Sequence, residues 1–299
     1  MSESVVEDPG SEVPVEDPTG ELLVVENLTV TLPTTRGPVD VVKDVSFTVG
    51  RNETVGIVGE SGSGKSMTSL AVMGLLPRGA VTRGSVRLGG LELLGRTDRE
   101  MRRIRGAQAS MVFQDPLSSL NPYYTVGLQI EEMYRAHRGA SRKEARKIAV
   151  EALARVGIPE PQRRAGHYPH QFSGGQRQRV MIAMALVCSP ALLIADEPTT
   201  ALDVTVQAQI LRLLAELQRR TRTGTVFITH DLAVISSIAT RVLVMCRGEQ
   251  VEYGTAEQIF SAPQHAYTRK LLDSIPRVTD DLPADDLPAD DLPTDEVIA

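Results

Sequence analysis

Tryptophan is absent, and aromatic residues make up only 4% of the 299-residue chain. No stripe of alternating basic and aromatic side chains is present, so the usual means of gripping nucleic acid is missing. There are two cysteines, Cys188 and Cys246. That is too few for a disulfide scaffold or for a four-cysteine zinc or iron–sulfur site within one chain. Both read as small buried apolar residues in a reducing compartment. No apolar run approaches the roughly 18 residues that span a bilayer, so any membrane role is expected to come through a partner. The N-terminus lacks the basic-then-apolar pattern of a secretory signal, and the chain is expected to be soluble and cytoplasmic.

Lysine and arginine are also missing from both ends. Residues 1–20 carry six acids and residues 280–299 carry eight, with no base in either. The overall charge of −6 therefore hides a body with 32 bases against 24 acids, a balance of +8. Residues 1–20 are rich in Glu, Asp, Pro, Ser and Gly and read as disordered. Residues 280–294 repeat Asp-Asp-Leu-Pro-Ala, with Thr294 in the last Ala position. Proline at every fifth residue opposes both helix interior and strand ladder, so an extended, solvated tail is expected over 276–299.

Between the tails, strand-like and helical patterns alternate. Residues 22–31 and 45–49 alternate apolar and polar side chains, as half-buried strands do. Residues 54–58, 109–113, 191–195 and 225–229 are compact apolar runs suited to a parallel sheet buried on both faces. Residues 141–156 open with Ser141 and Glu144 in capping-box spacing and stop at Gly157. Val206, Ile210, Leu213, Leu214 and Leu217 share one face of a second helix. The fold class expected is α/β with a mainly parallel sheet.

Gly59-Glu60-Ser61-Gly62-Ser63-Gly64-Lys65-Ser66 follows the expected strand 54–58 and opens the apolar stretch 67–76. Its glycines let successive N–H groups turn toward phosphate oxygens, and the helix adds the positive end of its dipole. In such a loop the lysine, Lys65, reaches the β- and γ-phosphates and the hydroxyl of Ser66 ligates Mg²⁺. The run 191–195 ends in Asp196 and Glu197. In a parallel sheet that edge lies beside the phosphate loop, so Asp196 suits a Mg²⁺ ligand and Glu197 suits a base or orienter for water.

Ser173-Gly174-Gly175-Gln176 opens the next helical stretch, where Ser173 can act as an N-cap. This tetrapeptide, standing between a phosphate loop and an Asp-Glu strand end, resembles the signature of ATP-binding cassette (ABC) ATPases. The resemblance covers roughly residues 22–275. Gln114 falls at the family's Q-loop glutamine, Ala201-Leu202-Asp203 at the D-loop, and His230 at the switch histidine. It implies a P-loop NTPase with a RecA-like core, an antiparallel β subdomain and an inserted α-helical subdomain at about 115–172. It also implies head-to-tail pairing of two cassettes, with ATP held between the phosphate loop of one and Ser173–Gln176 of the other. Gln114 would contact Mg²⁺ or the attacking water, and His230 would hold the γ-phosphate and Glu197. His137, His167, His170 and His265 have no such support and read as surface or structural. The family usually stacks adenine on an aromatic residue that would fall near Val39 and Asp40, yet residues 32–40 hold no Phe, Tyr or Trp. An aliphatic group, the Arg36 guanidinium or a partner is left to take the base.

Three segments are similar to the oligopeptide/dipeptide/nickel branch of bacterial ABC importers: Gln114-Asp115-Pro116-Leu117-Ser118-Ser119-Leu120-Asn121-Pro122, residues 168–176, and residues 262–272 with their His-x-Tyr-Thr-x-x-Leu-Leu pattern. That resemblance implies a motor subunit at the cytoplasmic face of the membrane. Its partners would be two permeases, a second cassette and, indirectly, an extracytoplasmic substrate-binding protein. Asn121, Pro122, Tyr123 and Tyr124 form a polar–aromatic patch suited to clasping a short helix of a membrane subunit. A cysteine-containing segment that many relatives carry beyond the position of Pro276 is replaced here by the acidic repeat. Two other readings are weaker. A soluble ABC ATPase acting on nucleic acid or ribosomes is backed only by the +8 body, and a small-molecule kinase leaves Ser173–Gln176 and His230 without a role.

Overall fold

The computed structural model describes residues 20–115, 119–199 and 202–274. The acidic tails, Pro116, Leu117 and Ser118 of the branch motif, and Ala201 of the D-loop motif lie outside the described residues. Ten strands form one sheet: β1 (Leu23–Thr34), β2 (Gly37–Val49), β3 (Thr54–Val58), β4 (Val81–Leu88), β5 (Leu91–Glu92), β6 (Ala109–Val112), β7 (Leu192–Asp196), β8 (Gly224–Ile228), β9 (Arg241–Cys246) and β10 (Glu249–Thr255). Their order is β5-β4-β1-β2-β10-β9-β3-β8-β7-β6.

The half from β9 to β6 is parallel. Every residue of β3, β6, β7 and β8 is buried, as expected for strands covered on both faces. Alternation along these strands splits the core into two layers. Val58, Val112, Leu193, Ala195, Phe227 and Val244 pack into one apolar cluster with the helices that follow β6. Val55, Ile57, Met111, Ile194, Val226 and Leu243 pack into the other, with the antiparallel strands β1, β2 and β4. The two halves of the sheet join at β10, which runs antiparallel to β9 and pairs with β2 in the ladder only at Glu249–Lys43 among the described residues. The expected parallel core and antiparallel subdomain are thus continuous parts of one sheet.

Local signals set most helix ends. The helix Lys65–Val72 is shorter than the apolar stretch 67–76 suggests. Gly74 takes φ +60, and its N–H donates to Ala71 O while that of Leu75 donates to Leu70 O. This Schellman pattern closes the helix before Pro77. The helix Arg142–Arg155 starts at the expected residue, with Ser141 Oγ accepting from Glu144 N–H at 3.3 Å, one of the two bonds of the expected capping box. It ends in the same pattern, with Gly157 N–H on Ala154 O and Ile158 N–H on Leu153 O. Between β6 and β7 this helix packs with Val126–Arg138 and Gly174–Leu186 around Ile130, Ala149, Leu153 and Val180. Buried Glu131 pairs with Arg146 at 2.9 Å and ties the first two helices together. No helix among the described residues is long and apolar enough to cross a membrane.

Candidate nucleotide site

The loop after β3 needs glycine for two distinct reasons. A Cβ on Gly59 would lie 2.1 Å from Met245 O, and one on Gly64 would lie 2.7 Å from Val41 O. Gly62 has open space around it but takes φ +78, a conformation that side chains oppose. The helix Lys65–Val72 that follows is capped by Gly64 without a side-chain acceptor. Its first N–H groups are therefore open to an anion, which the dipole also favours. Lys65 is only 5% exposed, and its ammonium donates to Gly59 O at 2.7 Å and Glu60 O at 2.9 Å. Burial pushes its pKa down, against the pull of the Glu197 and Asp196 carboxylates. Ser63 Oγ is buried with no hydrogen-bond partner. A cradle of glycine backbone, uncapped amides, a buried ammonium and an orphaned hydroxyl fits a phosphate chain.

The acidic strand end closes the cradle on one side. Asp196 is the last residue of β7, one place further into the strand than the sequence pattern suggests. Its Oδ1 accepts from Ser66 Oγ at 3.2 Å. Burial pushes the Asp196 carboxyl up, and the neighbouring Glu197 charge adds to this, while Ser66 and Lys65 oppose it. Glu197 takes φ +47, a costly conformation for a side chain with a Cβ, and its N–H is held by Ile228 O at 2.8 Å. From that fixed turn its carboxylate accepts from Gln114 Nε2 at 2.9 Å through Oε2 and meets His230 Nδ1 at 3.3 Å through Oε1. With Glu197 ionised, that second bond places the histidine proton on Nδ1. Gln114, Glu197, His230 and Lys65 follow β6, β7, β8 and β3, adjacent parallel strands whose C-terminal ends converge, as ligand sites in such sheets do.

The remaining expected residues lie apart from this cluster in the single chain. Ser173 and Gln176 form a reciprocal capping box on the helix Gly174–Leu186, and Arg164 donates to Gln176 Oε1 at 3.3 Å. Gly174 is exposed, and a Cβ on Gly175 would lie 2.6 Å from Val206 Cγ1. Asp203 caps the helix Val204–Thr221, accepting from Val206 N–H at 2.9 Å. Among the described residues none of these bonds reaches the phosphate loop. Ser173, Gly174 and Asp203 are exposed.

The family model described as ABC transporter matches residues 42–200, and the one described as Oligopeptide/dipeptide transporter, C-terminal region, matches residues 251–295. The chain belongs to the ABC transporter family. It is 53% identical to the oligopeptide transport ATP-binding protein OppD of Haemophilus influenzae, over 86% of this chain and 80% of that one. It is also 53% identical to the glutathione import ATP-binding protein GsiA of Escherichia coli K12, over 87% of this chain but 43% of that one. The chain thus spans less than half the length of the GsiA relatives. Among solved structures the dimeric ABC transporter cassette MJ0796 matches with a TM-score of 0.70 and 32% identity, covering 78% of this chain and 98% of that one. Another structure of the same cassette is a post-hydrolysis state bound to ADP and Pi.

Within this cassette, some features of the site had no signal in the sequence. Met245 O in β9 crowds Gly59, and Gly248 N–H in the turn after β9 donates to Ser63 O at 3.0 Å, so both bear on the phosphate loop. Tyr267, which the sequence places only in a branch pattern, accepts from Glu60 N–H at 3.2 Å. The stretch without aromatics forms the β1–β2 hairpin, with Val39 half exposed and Asp40 tied to Thr31 Oγ1 and Arg83. Of the histidines left as structural, His167 packs edge-on against Phe172 and His170 stacks on Tyr168.

Proposed function

We propose that this chain is the ATP-hydrolysing motor of a bacterial ABC importer, acting at the cytoplasmic face of the membrane on peptides or similar small solutes. The observation that carries the reading is the convergence of Gln114 and His230 on Glu197, beside Lys65 and the Ser66–Asp196 pair. Glu197 accepts a proton from the water that attacks the γ-phosphate, and Gln114 and His230 hold its carboxylate in place. Lys65 leaves the carbonyls of Gly59 and Glu60 for the phosphates, and the open amides of the loop take the remaining oxygens. Ser66, Asp196 and Gln114 are the donors we assign to Mg²⁺, which supplies neutralisation of phosphate charge when bound. Their fit is chemical: a hydroxyl and a carboxylate pushed up by burial, and further by the Glu197 charge, are stabilised by a cation.

The working unit is assigned to residues 21–275, with the helical subdomain at about 115–172 and the acidic tails outside the chemistry. The dimeric cassette MJ0796 supports pairing of two cassettes, so that Ser173, Gly174, Gly175 and Gln176 of one, with Asp203 beside them, complete the phosphate loop of the other. Beside Gln114 a cleft of about 340 Å³ is lined by Met111, Phe113, Met133, Met181 and Met184. Phe113 is 40% exposed there, because β6 stops at Val112 rather than running through it. Exposed Tyr123 and Tyr124 follow the same loop. We assign this cleft and patch to a helix of each membrane permease, and methionine side chains suit a surface that must fit helices of different sequence. An extracytoplasmic substrate-binding protein would act through those permeases.

The test is extraction of the full chain from its native membrane in mild detergent, followed by uptake measurements in cells lacking it. Co-extraction of two permeases and loss of peptide uptake are expected. A chain that hydrolyses MgATP but carries no permease, with uptake unchanged, overturns the importer reading.

A further inference from the structure

The helix Ala266–Asp273 reaches back to the phosphate loop through a short series of bonds. Glu252 of β10 accepts from Gln264 N–H at 2.7 Å and from His265 N–H at 3.1 Å, which fixes the turn before the helix. His265 Nδ1 then accepts from Tyr267 N–H at 3.1 Å and caps the helix. Tyr267 is half-buried, and its phenolic oxygen lies 3.2 Å from Glu60 N, which donates to it. Cys246 at the end of β9 lies beside the same phenol, and burial pushes the phenol's pKa up, so the ring stays neutral.

Glu60 N and Gly59 O belong to one peptide unit. Tyr267 holds its N–H, and the Lys65 ammonium holds its carbonyl at 2.7 Å. Gly59 lacks the Cβ that would restrict rotation of this unit, and Met245 O leaves no room for one. The orientation of the Gly59–Glu60 peptide, and with it the resting place of the Lys65 ammonium, therefore depends on the bonds at its two ends.

We propose that Tyr267 is a positioning residue of the nucleotide site: its hydroxyl fixes the Gly59–Glu60 peptide and, through it, the ammonium that meets the phosphates. This rests on the nucleotide reading above and adds to it a link from the C-terminal region, matched over residues 251–295, to the phosphate loop. In this reading the C-terminal helix helps set nucleotide affinity, although none of its residues belongs to the phosphate-binding motif.

The test compares the full chain with Tyr267→Phe, which keeps the ring and its packing, and with Cys246→Ala. The readouts are fluorescence titration with trinitrophenyl-ATP and Mg²⁺, hydrogen–deuterium exchange of peptides spanning residues 59–65, and thermal melting. Loss of one hydrogen bond predicts an affinity for the Phe variant about three- to tenfold weaker, with faster exchange over 59–65 and an unchanged melting point. Cys246→Ala should bind as the parent does; equal weakening in that variant shows that the phenol acts through the thiol and overturns the proposal. Should Tyr267→Phe melt lower, exchange decides: opening confined to 59–65 supports the proposal, and opening spread over 249–274 overturns it. Parent and Phe variant binding alike overturn the inference alone. A parent chain that does not bind the probe overturns the nucleotide reading and the inference with it.

Discussion

Ser66 Oγ donates to Asp196 Oδ1 across 3.2 Å, joining the helix that follows β3 to the end of β7. These two strands are not neighbours, since β8 lies between them. The bond therefore spans the crevice at the C-terminal ends of the strands. The bond only partly offsets burial and the Glu197 charge, which push the Asp196 carboxyl up.

Asp196→Asn should raise the stability of the nucleotide-free chain at neutral pH and abolish any Mg²⁺-dependent gain in nucleotide affinity. Because the folded-state pKa is raised, the native state favours the protonated acid. The cost of ionising it is absent below the unfolded value and grows as pH rises through the folded one. The variant's advantage in melting temperature should thus vanish near pH 4 and be largest near pH 8. A variant less stable than the parent at pH 8 would show that Asp196 is held by partners stronger than Ser66.

Glu197→Gln should lower steady-state ATP hydrolysis by at least about 100-fold, the usual share of a general base. Binding of trinitrophenyl-ATP should stay within about twofold, since the amide keeps a hydrogen-bonding group toward Gln114 and His230. Phosphate release measured with the purified chain decides the matter. Hydrolysis that survives the change removes Glu197 from its role as base.

Much of this site could be read in the sequence because its parts sit at strand ends with fixed spacing. Strand 54–58 followed by Gly59 to Ser66, and a buried run ending in Asp196-Glu197, place both motifs on one edge of any parallel sheet. The same local logic found Ser141 and Gly157 at their helix ends. What could not be read depends on contacts distant in sequence. The meeting of Tyr267 with Glu60 and of Met245 with Gly59 rests on strand order, and residue spacing does not encode which strands become neighbours. The early end of the helix at Val72 was legible in principle from Gly74, but the apolar run 67–76 carries a stronger periodic signal.

Ser173 and Gly174 are exposed and bonded away from the phosphate loop of their own chain; in the proposed pairing of cassettes they act on the nucleotide of a partner. Lys65→Ala alone and Ser173→Arg alone should each be inactive in homodimers. Mixing the two should restore measurable turnover, because one of the two sites in a mixed dimer pairs an intact loop with an intact signature. Mixtures as inactive as either variant, with dimers present by light scattering, would show that the two motifs do not meet across a dimer.

Arg241 carries stability rather than chemistry, and it lies at the opposite end of the strands from the nucleotide site. Its guanidinium donates to both Glu53 carboxylate oxygens and to Thr48 Oγ1, approaches Glu21, and lies over the Tyr253 ring. Burial alone would push the Glu53 carboxyl up, but the Arg241 bonds and charge, with Gly50 N–H, hold it below the usual carboxylate range. A lowered folded pKa means that the ionised form stabilises the native state above the unfolded value, and that this support is lost as pH falls. Arg241→Met should therefore cost about 2–3 kcal/mol at pH 7. That is less than a fully buried pair would lose, because the arginine is a quarter exposed. Urea unfolding should show the gap between parent and variant narrowing as pH falls from 7 toward 4, while nucleotide affinity stays unchanged at neutral pH. A gap of the same size at both pH values would mean that packing on Tyr253, and not the charge on Glu53, is what the arginine contributes.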